Sequence, residues 1–99
     1  MNIDDFVKTF EKREKPEDLP IEIQALWVER DGDWREAHEL VQVLETKEAF
    51  WVHAYLHRRE GDIGNAQYWY NRAEKEIPDI SLDEEWRKIA ESLLDRLKS

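Results

Sequence analysis

The feature that most constrains this chain is a glycine-aspartate pair that occurs twice between stretches of helical periodicity. Gly61-Asp62 follows Gly32-Asp33 at an offset of 29 residues. A glycine adopts positive φ at the end of a helix without strain, and an aspartate can cap the next helix by accepting from its free N–H groups. Each pair therefore predicts a tight turn between two helices, and the offset predicts two copies of one helical hairpin.

The helix after the second turn has its small and apolar residues on one face. They recur at helical spacing, as Ala66, Tyr70, Ala73 and Ile77. Pro78 is predicted to end this helix, because proline lacks a backbone N–H and restricts the residue before it. The small side chains of Ala54 and Ala66 predict a close approach of the two helices of this hairpin.

This pattern resembles the tetratricopeptide repeat, a hairpin of about 34 residues. The positions that carry the resemblance are Phe50, His53, Ala54, His57, Ala66, Tyr70, Ala73 and Pro78. The chain departs from the family at His53 and His57, where apolar or aromatic residues are usual. The resemblance implies an all-α fold, a right-handed superhelix of stacked helical hairpins with about six helices. The string WVHAYLHR…EGD..NA.YWY is also similar to one in short bacterial proteins without an assigned function.

The same signals divide the chain into four segments of one domain, residues 1–99. Ser81 and Glu84 form a capping box, which predicts the start of a last helix. The segments are an N-terminal helix at 3–14, a hairpin at 19–45, a second hairpin at 47–78 and a capping helix at 82–97.

Composition excludes several classes of function. The chain has 15 Lys and Arg against 24 Asp and Glu, a formal net charge of −9, which disfavours nucleic acids and anionic membranes as partners. It has no cysteine, and no nucleophile elbow, phosphate loop or dinucleotide fingerprint occurs. We therefore expect neither catalysis nor a cofactor. No signal peptide or apolar membrane-spanning run is visible, so a cytoplasmic location is expected.

The resemblance implies a concave groove lined by the first helices of successive hairpins. The aligned residues are Glu22, Leu26, Arg30, Trp51, Tyr55, Arg58 and Arg59. Tryptophan, tyrosine and arginine dominate the binding energy of many protein interfaces. The first functional prediction is therefore a non-catalytic module that binds a protein or peptide on this face. The same aromatic residues would equally suit gaps between packed helices.

The histidines suggest a different function. His53 and His57 are four residues apart and share a helix face, and His38 lies on the neighbouring helix. Three imidazoles that meet would suit zinc or copper, so the alternative is a small metal- or ligand-binding protein. They would also be compatible with hydrogen-bonded core histidines. A second alternative is self-association, with a homodimer as the possible form, because five tryptophans are hard to bury in 99 residues.

Overall fold

The fold is all-α, as the sequence predicts. A computed structural model describes residues 1–97, which form six α-helices and no strand. The helices are α1 (Ile3–Lys12), α2 (Ile21–Arg30), α3 (Trp34–Gln42), α4 (Lys47–Glu60), α5 (Ile63–Ala73) and α6 (Leu82–Arg96). The helices α2 and α3 form the first hairpin, and α4 and α5 form the second.

The predicted caps are present at both hairpin turns and before α6. Gly61 ends α4 with a φ of 91°, and the Asp62 side chain accepts from the backbone N–H of Asn65. Asp33 caps α3 and Ser81 caps α6 in the same way. These are bonds between residues three apart, so the local sequence alone determines them.

Helix α4 is the centre of the molecule. It packs against α2, α3, α5 and α6. Every residue from 51 to 57 is buried, so α4 is covered on all sides. Ala54 and Ala66 are fully buried, as the predicted close packing of this hairpin requires.

Helix α6 lies against the first helices of both hairpins. It packs on α2 and α4, and it also contacts α1. The indole N–H of Trp86 donates to the backbone carbonyl of Leu26 at 3.0 Å, and the Phe6 ring of α1 stacks on the Trp86 ring with centroids 5.8 Å apart. The last helix therefore covers the face of α2 and α4 that the repeat alignment assigns to a groove.

Helix α5 ends earlier than predicted. Its last residue is Ala73, and Glu74 follows in a left-handed conformation with a φ of 60°. The prediction that Pro78 ends this helix, with Ile77 on its apolar face, is wrong. The early turn brings Lys75 over α4, where its Nζ atom lies 4.3 Å from the ring centroid of Trp51.

A helix that crosses a bilayer needs about 20 consecutive, mostly apolar residues. Within residues 1–97, no helix combines the length and the apolar character that a membrane span needs.

Candidate metal centre

The structure brings the three histidines together. His38 comes from α3, and His53 and His57 come from successive turns of α4. One ring nitrogen from each lies within 4.8 Å of the others, and the Nε2 atoms of His53 and His57 are 3.1 Å apart. The ring centroid of His38 is 4.6 Å from that of His53 and 5.1 Å from that of His57. The predicted meeting of the imidazoles is thus confirmed.

Two tryptophans hold the outer faces of this cluster. The Trp69 ring, from α5, stacks on His53 with centroids 3.9 Å apart and planes 15° apart. The Trp34 ring, from α3, stacks on His38 with centroids 5.0 Å apart. The indole N–H of Trp34 donates to the backbone carbonyl of Leu56 at 2.7 Å, which anchors that ring to α4. The stacking restricts rotation of both imidazoles.

Glu60 determines which nitrogen of His57 carries the proton. The Nδ1 atom of His57 lies 2.6 Å from Oε2 of Glu60. Because an ionised carboxylate only accepts hydrogen bonds, His57 donates from Nδ1, and its Nε2 lone pair points toward His53. Ligands of metals commonly have this arrangement, in which a carboxylate orients the imidazole through its second nitrogen.

His38 and His53 are neutral near neutral pH. Burial, together with the nearby charges of His38, His57 and Arg72, lowers the pKa of His53 to about 3. Burial, with His57 beside it, also lowers the pKa of His38. Neutral imidazole is the form that binds a metal, so no proton has to be displaced from these two rings at neutral pH.

Two nitrogens of the cluster have the separation that ligands of one metal ion require. Zinc binds imidazole nitrogens at about 2.0 to 2.1 Å, so two nitrogens of a tetrahedral site lie roughly 3.3 Å apart. The Nε2 pair of His53 and His57 is within a few tenths of an ångström of that value. A metal bound by both Nε2 atoms requires the His53 proton to lie on Nδ1, a change of tautomer that leaves the ring neutral.

Glu60 is the residue of the candidate site that the sequence analysis missed. It stands three residues after His57 on the same helix, a spacing that places two side chains next to each other. The carboxylates of Glu60 and Asp62 also group with His57 within 4.8 Å. In the structure, however, the Asp62 side chain caps α5, and the Glu60 carboxylate is hydrogen-bonded to His57.

The residues predicted to line a groove have a different environment from the one expected. Leu26 and Tyr55 are fully buried and Trp51 is buried as well, so these three side chains are not exposed to a partner. The Tyr55 hydroxyl donates to Glu29 at 2.9 Å and accepts from Arg59 at 2.8 Å. The expectation that Tyr55 lies open on a concave surface is wrong, because α6 covers the face from which it projects.

The charged residues of the same set are paired within the chain. The Arg58 guanidinium donates to the Glu85 carboxylate at 2.9 Å, and Arg30 and Arg59 both contact Asp83. The half-buried Glu22 accepts from the Thr46 hydroxyl at 2.8 Å. Arg58, Arg59 and Arg30 therefore attach α6 to the rest of the fold.

The fold and the cluster together describe a small all-α protein with a three-histidine group, of which His53 and His57 are buried and His38 is half-buried. Comparisons of the chain with models of protein families, with curated proteins and with solved structures found no match. The resemblance to the tetratricopeptide repeat therefore stays a prediction.

Proposed function

We propose that this protein binds a divalent transition-metal ion through His38, His53 and His57. The observation that carries the proposal is the approach of three ring nitrogens to within 4.8 Å, with the His57 lone pair directed into the group by Glu60. Imidazole ligands suit zinc, copper and nickel, whereas magnesium and calcium prefer oxygen.

The competing explanation is a purely structural cluster. In that case His53 donates its Nε2 proton to Nε2 of His57, and the rings serve only to fill the space between α3, α4 and α5. One such bond involves two of the three imidazoles, and His38 then takes part only through its ring contacts with Trp34, His53 and His57. Metal binding uses all three nitrogens, so it explains more of the geometry.

The test is a calorimetric titration of the protein with zinc near neutral pH, followed by thermal unfolding. A ligand at about 100 times its Kd stabilises the folded state by roughly 2.7 kcal/mol. For a domain of this size, that corresponds to a rise in Tm of roughly 10 °C or more. His53→Phe should abolish both signals, because phenylalanine keeps a ring against Trp69 but offers no nitrogen.

The control variant is Glu84→Gln, which removes an exposed carboxylate from α6 and leaves the cluster intact. It should bind zinc as the parent protein does. The chain contains only three histidines, so any histidine-dependent binding belongs to this cluster. Zinc binding that survives His53→Phe, or no zinc binding by the parent protein, would refute the proposal.

Binding of a protein or peptide and self-association also stay predictions. The residues named for a groove are buried or paired with other residues of the chain, so that surface supports the first of them less than the sequence suggests. A cytoplasmic location and the absence of catalysis are likewise proposals that rest on the sequence.

A further inference from the structure

The histidine cluster supplies three ligands and no fourth. Within residues 1–97, no further His, Cys, Asp or Glu places a ligand atom inside the 4.8 Å group that His38, His53 and His57 form. Structural zinc sites fill all four tetrahedral positions with protein ligands, whereas sites with three protein ligands leave one position for water or another molecule.

We infer that the metal held by these histidines keeps an open coordination position that binds a small monodentate anion. This inference rests on the proposed function, since it concerns the metal after it is bound. Three neutral imidazoles leave the whole double positive charge on the ion. The nearest carboxylate, Glu60, is directed at Nδ1 of His57, on the opposite side of that ring from the Nε2 atom that faces the group.

Arg72 adds positive potential on the His53 side of the cluster. The Arg72 guanidinium lies over the Phe50 and Trp69 rings, 4.3 Å and 5.0 Å from their centroids. Trp69 itself stacks on His53, so this cation is one ring away from the cluster. The net charge of −9 is spread over the whole chain and is screened by salt beyond about 8 Å at physiological ionic strength. On the other side of the cluster, the carboxylates of Glu60 and Glu39 act on His38. The side-chain charges around the cluster are therefore mixed, and the double positive charge of the ion itself is what favours an anion.

The approach from solvent is past His38. His53 and His57 are buried, whereas His38 is half-buried and lies on α3 beside the half-buried Trp34. When no other ligand is present, water fills the open position. A metal with imidazole ligands would lower the pKa of that water to about 7, so near neutral pH both water and hydroxide would occupy the open position.

The experiment uses Co²⁺ as a spectroscopic substitute for zinc and azide as the anion. Co²⁺ binding is first measured by calorimetry, and azide is then added while the visible absorption of the bound cobalt is recorded. We expect a saturable change in the spectrum with cobalt still bound. Arg72→Gln should weaken azide binding several-fold without a comparable change in Co²⁺ affinity. Arg72→Lys, which keeps the positive charge, should restore most of the azide affinity.

The possible failures are distinguishable. If the parent protein binds no Co²⁺, the proposed function itself is wrong. If Co²⁺ binds but azide leaves its spectrum unchanged, the coordination shell is closed, and only the further inference is overturned. Release of the cobalt by azide also overturns it, because the anion then competes with the histidines instead of joining them.

Discussion

Replacing Glu85 by alanine should destabilise the fold by about 3 kcal/mol. The Glu85 side chain is almost completely buried, with 1% exposed. Its two oxygens accept from the Arg58 guanidinium at 2.9 Å and from the Tyr70 hydroxyl at 2.6 Å. Alanine leaves both donors without this partner. The carboxylate belongs to α6, so the same change tests how α6 is attached to α4 and α5.

The magnitude follows from what remains after the substitution. Removing one member of a buried ion pair costs about 3 to 5 kcal/mol, and an unsatisfied buried hydroxyl costs about 1 to 3 kcal/mol. These values do not add, because both donors share one acceptor. The Arg58 side chain is 16% exposed and also donates to the backbone carbonyl of Ile80, so part of its charge remains solvated or paired. We therefore expect the lower end of the range.

The assay is urea unfolding followed by far-UV circular dichroism near neutral pH, with a chelator present so that metal binding does not contribute. Tyr70→Phe should lose about 1 kcal/mol, since it removes one hydrogen bond and leaves the ion pair. Lys88→Ala, on the exposed side of α6, should change the free energy of unfolding by less than about 0.5 kcal/mol. Both losses should be clearly smaller than the loss for Glu85→Ala.

A third variant separates the ion pair from the packing of α6. It combines Glu85→Leu, Arg58→Met and Tyr70→Phe, which removes the carboxylate, the guanidinium and the hydroxyl at once. Apolar replacement of a whole buried ion pair is often neutral or stabilising, so this variant should recover most of the lost stability. A loss below about 1 kcal/mol for Glu85→Ala would refute the reasoning, because it would mean that Arg58 and Tyr70 find other partners.

Three further predictions concern the core and the histidines. Tyr55→Ala should cost about 3 to 5 kcal/mol in urea unfolding, because the ring is fully buried; an unchanged midpoint would contradict that burial. Ala66→Leu should cost about 1 to 3 kcal/mol in thermal melts by overfilling the contact between α4 and α5. The pKa of His53 is lowered from 6.5 to about 3, so below pH 6.5 only the unfolded chain takes up this proton. As the pH drops from 6.5 toward 3, this group should lower the free energy of unfolding by about 1.4 kcal/mol per pH unit, and His53→Phe should make the free energy of unfolding less dependent on pH.

The parts of the fold that depend on neighbouring residues could be predicted from the sequence. The caps at Asp33, Asp62 and Ser81 bond to backbone groups three residues away, so turn chemistry identifies them directly. The shared face of His53 and His57 follows from helical spacing in the same way. Bringing His38 to them required only the packing of α3 on α4, two helices adjacent in the chain.

The face of Tyr55 could not be assigned by this reasoning. Its burial depends on where α6 docks, and helical periodicity does not specify that. A signal was nevertheless present in α4, whose apolar residues run all round the helix rather than along one stripe. Such a helix is buried on every side, so a repeat alignment that leaves one of its faces open is inconsistent with its composition. The end of α5 was misplaced because Pro78 marks the latest possible stop, whereas the left-handed Glu74 ends the helix earlier.

The position of α6 also determines how this molecule can unfold. In a solenoid of hairpins, each unit touches only its neighbours, so a terminal unit can open while the others persist. Here Trp86 joins α6 to both α1 and α2 through the Phe6 ring and the Leu26 carbonyl. Unfolding of α6 would expose the buried residues of α1 and α2 that Trp86 covers, and unfolding of α1 or α2 would expose Trp86. Loss of structure should therefore be a single cooperative event, and the contacts that complete the core can form only after distant parts of the chain have come together.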